Sequence, residues 1–599
     1  MQEKIAIFAV IMEFRWLQKT LPNNEEVEKL TQALQVYQQE QNHAGGKSPS
    51  LSEQLIKNPK ILSILLQREI NTVEKAKQFF KPSLEDLHDP FLMHDMDAAI
   101  SRISKAIKKK EGILIYGDYD VDGTTAVSIV YNYFKSFNPN MDYYIPDRYK
   151  EGYGISKIGL EYAAANNFSL MIALDCGIRS NALIDYANEL GLDVIICDHH
   201  LPGEELPKAT AILNPKKSEC SYPYKELSGA GIGFKLIQGY NEKQGLKTDQ
   251  IHEYLDLVAV SIASDLVDIR GENRILAYYG LKKLNEHPNI GLQALLTEYP
   301  KKAEYTISDI IFGIGPRINA AGRISDAKAA VKVLIERDFN TALKLSKELN
   351  ARNLERKELD TDITRDAISM IDSSTDMQAR YSTVLRGTDW HKGVIGIVAS
   401  RLVEQFHKPT IVFSLNDGLL TGSARSIKGF DIHEAIGQCN GLVEQFGGHK
   451  YAAGLTIKEG NFDAFSEKFE TIVRASLKPE DLVPEVEYDL ELNVHDITAE
   501  FVHLVKRLSP FGPGNSIPVF RSNHLQASNS SRILKDKHLK IQVVSPKGPI
   551  DSIGFGLAEH LMSVRDGKLF SACYNLEENT YNGRTSLQLR LQDIKNLAH

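Results

Sequence analysis

Three short apolar runs, each ending abruptly in acids or imidazoles, constrain this chain more than any other feature. Residues 194–197 are β-prone and continuously apolar, the pattern of a parallel strand covered on both faces, and they stop at Asp198-His199-His200. Residues 112–116 (GILIY) stop at Gly-Asp118-Tyr-Asp120-Val-Asp122-Gly123, and 169–174 (SLMIAL) stop at Asp175-Cys-Gly177. In open α/β sheets ligands bind just beyond the carboxyl ends of the strands, and carboxylates crowded at alternate positions repel one another unless a cation neutralises them. Taken singly these segments are ordinary: Asp-His-His after a strand is more often a solvated turn, and GDYDVDG alone reads as a plain turn or a calcium loop. The EF-hand spacing fails, because the twelfth position counted from Asp118 is Ile129. Together, the three strand-end acid groups and His-His read as a set of metal ligands.

The surrounding pattern supplies the sheet that such ligands need. From about residue 98 to 290, helical and strand periodicities alternate: helix 98–110, strand 112–116, helix 124–137, strand 141–145, helix 156–166, strand 169–174, helix 180–190 and strand 193–197. This is the rhythm of a doubly wound parallel sheet. A helix over 251–265 delivers a further acid, Asp265, with Asp268 as its rival. Loop 147–154 combines Arg148, Tyr149, Tyr153 and glycines, either a surface turn or the cation and stacking faces that a nucleotide needs. Segment 313–323 (GIGPRINAAGR) is glycine-rich, and its Arg317 and Arg323 supply bidentate phosphate forks. Residues 328–377 are helix-forming and charged, a long connector whose charges need no functional reading.

At 599 residues the chain is too long for one core. It divides into an N-terminal helical lid segment (1–97), an α/β catalytic domain (98–327), a connector helix (328–378), a smaller α/β domain (379–480) and a β domain (481–599). In the smaller α/β domain, strands alternate with helices 394–406, 432–440 and 461–476, and Ser423-Ala-Arg425-Ser426 and a Gly447-Gly448-His449-Lys450 turn bring amides, a guanidinium and an imidazole together as an anion pocket. His391 and Lys392 either face the cleft or merely flank a helix. The closely spaced strands after residue 484 suggest a small barrel, an OB-fold. Within 501–547, eight Lys/Arg stand against one acid, Asp536, although the whole chain carries a net charge of −8. That contrast fits a local track for single-stranded DNA rather than general polyanion affinity. Phe511 is available there for stacking, while Phe520, inside a strand, reads as core.

Residues 5–12 are apolar, but no cleavage site follows them, so they do not make a signal peptide; Met12 reads as the true start. Segment 41–50 is no Walker A loop, because Gln41 stands where glycine is required. No apolar run reaches membrane-spanning length. The five cysteines form no Cys-x-x-Cys, which suits a reducing cytoplasm.

Eight blocks now carry a resemblance: YGDYDVDGTTA (116–126), ALDCGI (173–178), CDHH (197–200), SIASDLVD (261–268), GPRINAAGR (315–323), HKGVIGIVASRL (391–402), GSARS (422–426) and GGHKYAAG (447–454). In type and order they resemble the DHH phosphoesterase superfamily, and within it the bacterial single-strand-specific exonucleases, from about residue 60 to the end. The resemblance implies an α/β fold with a DHH-type parallel-sheet domain, a long connector helix, a smaller DHH-associated α/β domain and a C-terminal OB-fold-like barrel. It implies that Asp118, Asp120, Asp122, Asp175, His199 and Asp265 hold two divalent cations, Mn2+ or Mg2+, and it favours Asp265 over Asp268. Carboxylate-rich ligation also argues against copper or structural zinc. Asp120, Asp122, Asp175, His199, His200 and Asp265 would carry catalysis, with His200 bonding the phosphate and Asp198 orienting the ligand histidine from behind. Arg148, Tyr153, Arg317, Asn319, Arg323, Ser423, Arg425, Ser426, Gly447, Gly448 and His449 would bind substrate.

The implied activity is two-metal hydrolysis of single-stranded DNA from the 5′ end, releasing 5′-mononucleotides in DNA repair and recombination. The implied setting is a cytoplasmic monomer, with a helicase and a single-strand-binding protein as candidate partners and no membrane. Three other readings remain open. A DHH phosphodiesterase for short oligonucleotides or cyclic dinucleotides has no need of the basic barrel. A replication scaffold would have lost its metal ligands, and a bare DNA-binding protein has no use for strand-end acids.

Overall fold

The computed structural model describes residues 14–42, 51–324, 326–581 and 584–597. The expectation for Met12, and most of segment 41–50, lie outside the described residues. Two compact units emerge: one comprises Pro82–Asp362 together with Pro510–Ser516, the other the residues up to Lys81, Ile363–Ser509 and Ile517 onward.

The first unit is built on a five-stranded, all-parallel sheet in the spatial order Met141–Tyr144, Gly112–Gly117, Phe168–Leu174, Asp193–Cys197, Ala211–Leu213. Alternate residues of these strands feed two cores. Ile113, Ile115, Ile172, Leu174 and Ile195 pack in one apolar cluster, and Leu114, Tyr116, Met171, Ala173 and Ile196 in another. A sheet covered on both faces explains why its strands are continuously apolar. In sequence order the strands run 2-1-3-4-5, so the direction of winding reverses between Gly112–Gly117 and Phe168–Leu174, the switch point where such sheets bind ligands. Register then aligns the strand ends: Gly117 pairs with Leu174 and Leu174 with Cys197, so Asp118, Asp175 and Asp198 are the next residues along one row.

Helix boundaries shift by a few residues from the sequence pattern, as capping dictates. Asp120 caps Val121–Lys135 by accepting from Gly123 N–H, so this helix starts three residues before the expected 124. The expected helix 251–265 is two, Asp249–His252 and Leu255–Ser264. The glycine-rich segment 313–323 is helical: a π-helical turn, Ile310–Ile314, runs without a break into the α-helix Gly315–Ile324, and Pro316, which has no N–H to donate, falls just past their junction. The connector breaks after Lys328–Ile335 and resumes as a 34-residue helix, Phe339–Asp372, within which the division between the units falls.

In the second unit, a five-stranded mixed sheet runs Gln445–His449, Ala452–Lys458, Leu419–Arg425, Thr410–Asn416, Thr383–Gly387. The expected Gly447–Lys450 turn is instead largely an exposed edge strand, Gln445–His449, because its residues ladder onto 452–456. The C-terminal strands form a sheet in which Phe520–Gln526, Leu569–Tyr581, Arg584–Asn596, Ile550–Gly554 and His538–Val543 follow one another. An antiparallel bridge between Ala527 and Val543 returns the last to the first, giving a small barrel. A strand that the sequence pattern did not suggest, Arg15–Gln18, pairs in parallel with Glu485–Tyr488. The five cysteines are buried and free, and no helix among the described residues is long and apolar enough to cross a membrane.

Candidate metal centre

His199 follows the fourth strand and is 6% exposed. Its Nε2 lies 3.2 Å from Asp175 Oδ1 and 3.6 Å from both Asp122 Oδ2 and Asp265 Oδ2. Each of these acids comes from a different element: Asp175 from the end of the third strand, Asp122 from the first turn of Val121–Lys135, and Asp265 from the C-cap of Leu255–Ser264. Yet among the described residues neither His199 nitrogen has a hydrogen-bond partner, and neither has Asp175 Oδ1, although all three atoms are buried. Buried polar atoms with no partner are rare and costly, and here two of them, His199 Nε2 and Asp175 Oδ1, face one another.

The acids strain electrostatically against each other. Burial, then Asp122, pushes the Asp175 carboxyl well above the usual carboxylate range. Burial and Asp120 do the same to Asp118, and burial and Asp122 raise Asp120. Asp265 is pushed up to about 8 by burial and by Asp122 and Asp120, against the pull of His200 and Lys216. Ligand atoms of Asp118, Asp120 and Asp175 lie within 4.8 Å of one another, as do those of Asp122, His199 and Asp265, and of Asp175, His199 and His200. Hard oxygens plus one or two imidazoles, crowded and unneutralised, fit divalent Mn2+ or Mg2+.

The cluster is held from behind by groups that the sequence pattern did not single out. Asp122 Oδ2 accepts from Gly229 N–H (2.6 Å), and Oδ1 from Ala230 N–H (2.8 Å) and Ser261 Oγ (2.6 Å). The carboxylate therefore caps the N-terminus of Gly229–Lys243, where free N–H groups and the helix dipole favour an anion. A Cβ at Gly229 would stand 2.7 Å from Asp175 Cβ, so only glycine allows this approach. Asp175 itself has φ +59°, a strained left-handed conformation for a non-glycine residue.

Asp198 orients His200 rather than the ligand His199: its Oδ1 lies 2.7 Å from His200 Nδ1, while Oδ2 accepts from Ile178 N–H at 3.0 Å. Burial alone would lower the His200 pKa, but the hydrogen bond and charge of Asp198 outweigh it and hold the imidazole above its ordinary value. The Tyr153 hydroxyl, 3.2 Å from His200 Nε2, donates to Asp175 O at 3.3 Å, and its ring is exposed. Arg148 stacks over Tyr119 at 5.1 Å. Asp268, the rival to Asp265, is gripped by the Arg270 guanidinium and stands outside the ligand groups.

The remaining predicted substrate residues are placed as follows. Arg317 is largely buried, donating to Gly313 O and Glu298 O at 2.8 Å each and lying over Tyr299, so its fork grips backbone carbonyls. Asn319 and Arg323 are half-buried on the same helix, where the Arg323 carbonyl accepts from the Tyr149 hydroxyl. In the second unit, register sets Arg425, Ala452 and His449 in one row and Ser423, Gly454 and Gly447 in another. Cross-strand partners share a face, so Ser423, Arg425, Gly447 and His449 lie on one side of that sheet. Ser426 is turned back, its hydroxyl donating to Phe430 O at 2.9 Å, and Gly448 is held at φ +141°. In the barrel, Phe520 is core, and three of the counted cations have acid partners outside the counted window: Lys506 with Glu578, Arg521 with Glu491 and Lys540 with Asp551. Arg532, Lys535 and Lys537 are exposed on one hairpin.

A switch-point cluster of acids and histidine on a parallel sheet, followed by a second α/β domain, defines a DHH phosphoesterase. The DHH family, N-terminal domain, matches residues 112–262, the DHHA1 domain 376–475 and the RecJ OB domain 488–593. The chain is 37% identical to the single-stranded-DNA-specific exonuclease RecJ of Bacillus subtilis over 554 residues, 91% of this chain and 69% of that one. Against RecJ of Escherichia coli the identity is 33% over 523 residues, 83% and 90% of the two chains. The crystal structure of Thermus thermophilus RecJ with Mn2+ has the same fold, with a TM-score of 0.80 at 24% identity over 98% of this chain and 80% of that one. A crystal structure of an exonuclease RecJ bound to manganese matches at a TM-score of 0.58 and 30% identity, over 67% and 99%. This chain belongs to the RecJ family.

Proposed function

We infer that this chain is a single-strand-specific DNA exonuclease that hydrolyses phosphodiester bonds stepwise from the 5′ end, releases 5′-mononucleotides and serves DNA repair and recombination. The observation that carries the reading is the buried, unbonded face of His199 with three carboxylates around it, in a chain of this family. Asp118, Asp120, Asp122, Asp175, His199 and Asp265 would hold two cations, Mn2+ or Mg2+. When bound, these supply Lewis acidity that activates water and neutralises charge developing on the phosphate.

The chain's own residues do the rest. Asp122, fixed by three donors, and Asp175, fixed by its backbone at the strand end, keep the ligand set preorganised. His200, whose imidazole Asp198 orients and holds above its ordinary pKa, offers a donor to the phosphate. Arg148 and Tyr153 contact the nucleotide beside it. Ser423, Arg425, Gly447 and His449, with Ser426 and Gly448 shaping their strands, bind backbone phosphate, and Asn319 and Arg323 do so in the first unit. Arg317 is better read as a brace for their helix. The exposed hairpin cations Arg532, Lys535 and Lys537 favour a long strand as substrate over a dinucleotide. The protein acts in the cytoplasm as a monomer, on strands opened by a helicase or covered by a single-strand-binding protein.

The test is product analysis with Mn2+ on end-labelled single- and double-stranded DNA. Mononucleotides released from the 5′ end of single strands support the reading. Release from the 3′ end, or equal attack on duplex, refutes it.

A further inference from the structure

Asp265 is the most exposed of the acids around His199, with a side chain 28% exposed, and it stands at a helix end rather than a strand end. Its position depends on the turn that follows. Leu266 leaves the helix at φ +56°, the left-handed conformation that glycine usually supplies at this place. A leucine held there persists only when its surroundings over-determine it.

Part of those surroundings is encoded far downstream. Pro510–Ser516, whose neighbours in sequence belong to the other unit, is itself part of the unit that holds the cluster. Pro513 O accepts from Ile269 N–H at 2.8 Å. Gly512 packs on buried Ile269, where a Cβ would meet its side chain at 3.4 Å. Gly514, at φ +76°, lies so close to Asp268 that a Cβ would stand 2.3 Å from Oδ1. The segment is closed on itself by reciprocal Gly512–Asn515 backbone bonds of 3.0 Å and by Asn515 Nδ2 donating to Pro510 O at 2.8 Å. Within the domain, Tyr224 Oη (2.9 Å) and Asn273 Nδ2 (2.8 Å) donate to Asp268 O. The 265–270 turn is thus clamped between its own domain and this short Pro-Gly segment.

We propose that Pro510–Ser516 is a positioning segment of the metal centre, which clamps the Asp268–Ile269 turn and thereby fixes the Asp265 carboxylate toward His199. The proposal rests on the metal-centre reading above. It goes beyond it by making a stretch about 245 residues beyond Asp265 in sequence a determinant of cation affinity.

The test is Mn2+ titration of full-length protein by calorimetry, with free Mn2+ counted by paramagnetic resonance and no DNA present. Gly514→Val drives a side chain into Asp268, and Asn515→Ala opens the segment without touching residues 265–270. Expected for both is a metal-free chain that still folds, with a melting temperature lowered more for Gly514→Val than for Asn515→Ala, and with Mn2+ affinity lowered about tenfold for Gly514→Val and severalfold for Asn515→Ala. The Mn2+ concentration for half-maximal nuclease activity should rise in parallel, and kcat should recover at saturating Mn2+. Should Gly514→Val fail to fold, Asn515→Ala decides. Folded Asn515→Ala with an unchanged isotherm overturns the proposal. An unsubstituted chain that binds no Mn2+ overturns the metal centre itself, and the proposal with it.

Discussion

Asp122 and Gly229 meet across 107 residues of sequence: the carboxylate of one helix's first turn accepts, at 2.6 Å, the first N–H of another. The same contact brings the Gly229 Cα against Asp175. Gly229→Ala should therefore separate Asp122 from Asp175. The expected outcome is Mn2+ affinity lowered about tenfold and kcat/KM lowered about a hundredfold, with a stability cost of roughly 1–3 kcal/mol from overpacking. Calorimetry, initial rates and denaturant unfolding check this. Ser261→Ala, which removes one donor and adds no bulk, should give the same effects at smaller size.

Asp175 belongs to two of the three ligand groups and is buried beneath them. Asp175→Ala should abolish hydrolysis, by a thousandfold or more, while fluorescence anisotropy shows single-stranded DNA affinity within about threefold of the unsubstituted protein. Retained turnover would remove Asp175 from the catalytic set.

The metal-free protein should lose stability as pH rises. Asp118, Asp120 and Asp175 are raised above the ordinary carboxylate range, and Asp265 to about 8. The folded state therefore keeps protons that the unfolded chain has released. This contribution is fully present below the ordinary carboxylate pKa and is lost as pH climbs to about 8. In EDTA the melting temperature should fall by roughly 5 °C between pH 6 and 9. Excess Mn2+ should cancel or reverse the fall, because the cation binds the deprotonated ligands. Parallel melting curves with and without metal would contradict this.

Asp198→Asn should separate catalysis from metal binding. Asp198 touches His200 and the Ile178 amide but makes no hydrogen bond to His199. Its neutral isostere should lower kcat by about 10–100-fold and leave the Mn2+ isotherm within about threefold. Mn2+ affinity falling in step with kcat would instead make Asp198 a support of the ligands.

The strand ends were legible because burial on both faces writes itself as unbroken apolar runs, so the acids that stop them stand out at Asp118, Asp175 and Asp198. Sequence order also showed that these strands are parallel. What holds Asp122 was not legible: Ser228-Gly229-Ala230 is an unremarked helix start, and only the folded chain brings its N–H groups to a carboxylate. A Ser cap followed by glycines, with no acid of its own in the first turn, was the available hint. Counting cations in 501–547 overstated the basic track, because Glu491, Asp551 and Glu578, which neutralise three of them, lie outside the counted stretch. Glycines misled at 447–450, where they suggested a turn that is mainly an edge strand. Laddering onto the neighbouring strand 452–456 decided it.

The pairing of Arg15–Gln18 with Glu485–Tyr488 has a consequence for how the protein is born. Their ladder joins residues 470 apart, so Arg15–Gln18 waits, edge bare, until 470 further residues have been made. Meanwhile the five-stranded sheet, complete by Leu213, has every strand it needs. The nuclease sheet can assemble on the nascent chain, whereas the ladder between Arg15–Gln18 and Glu485–Tyr488 closes much later, and a stall before residue 485 leaves a sheet whose acids are ready for metal in a chain with one strand still unpaired.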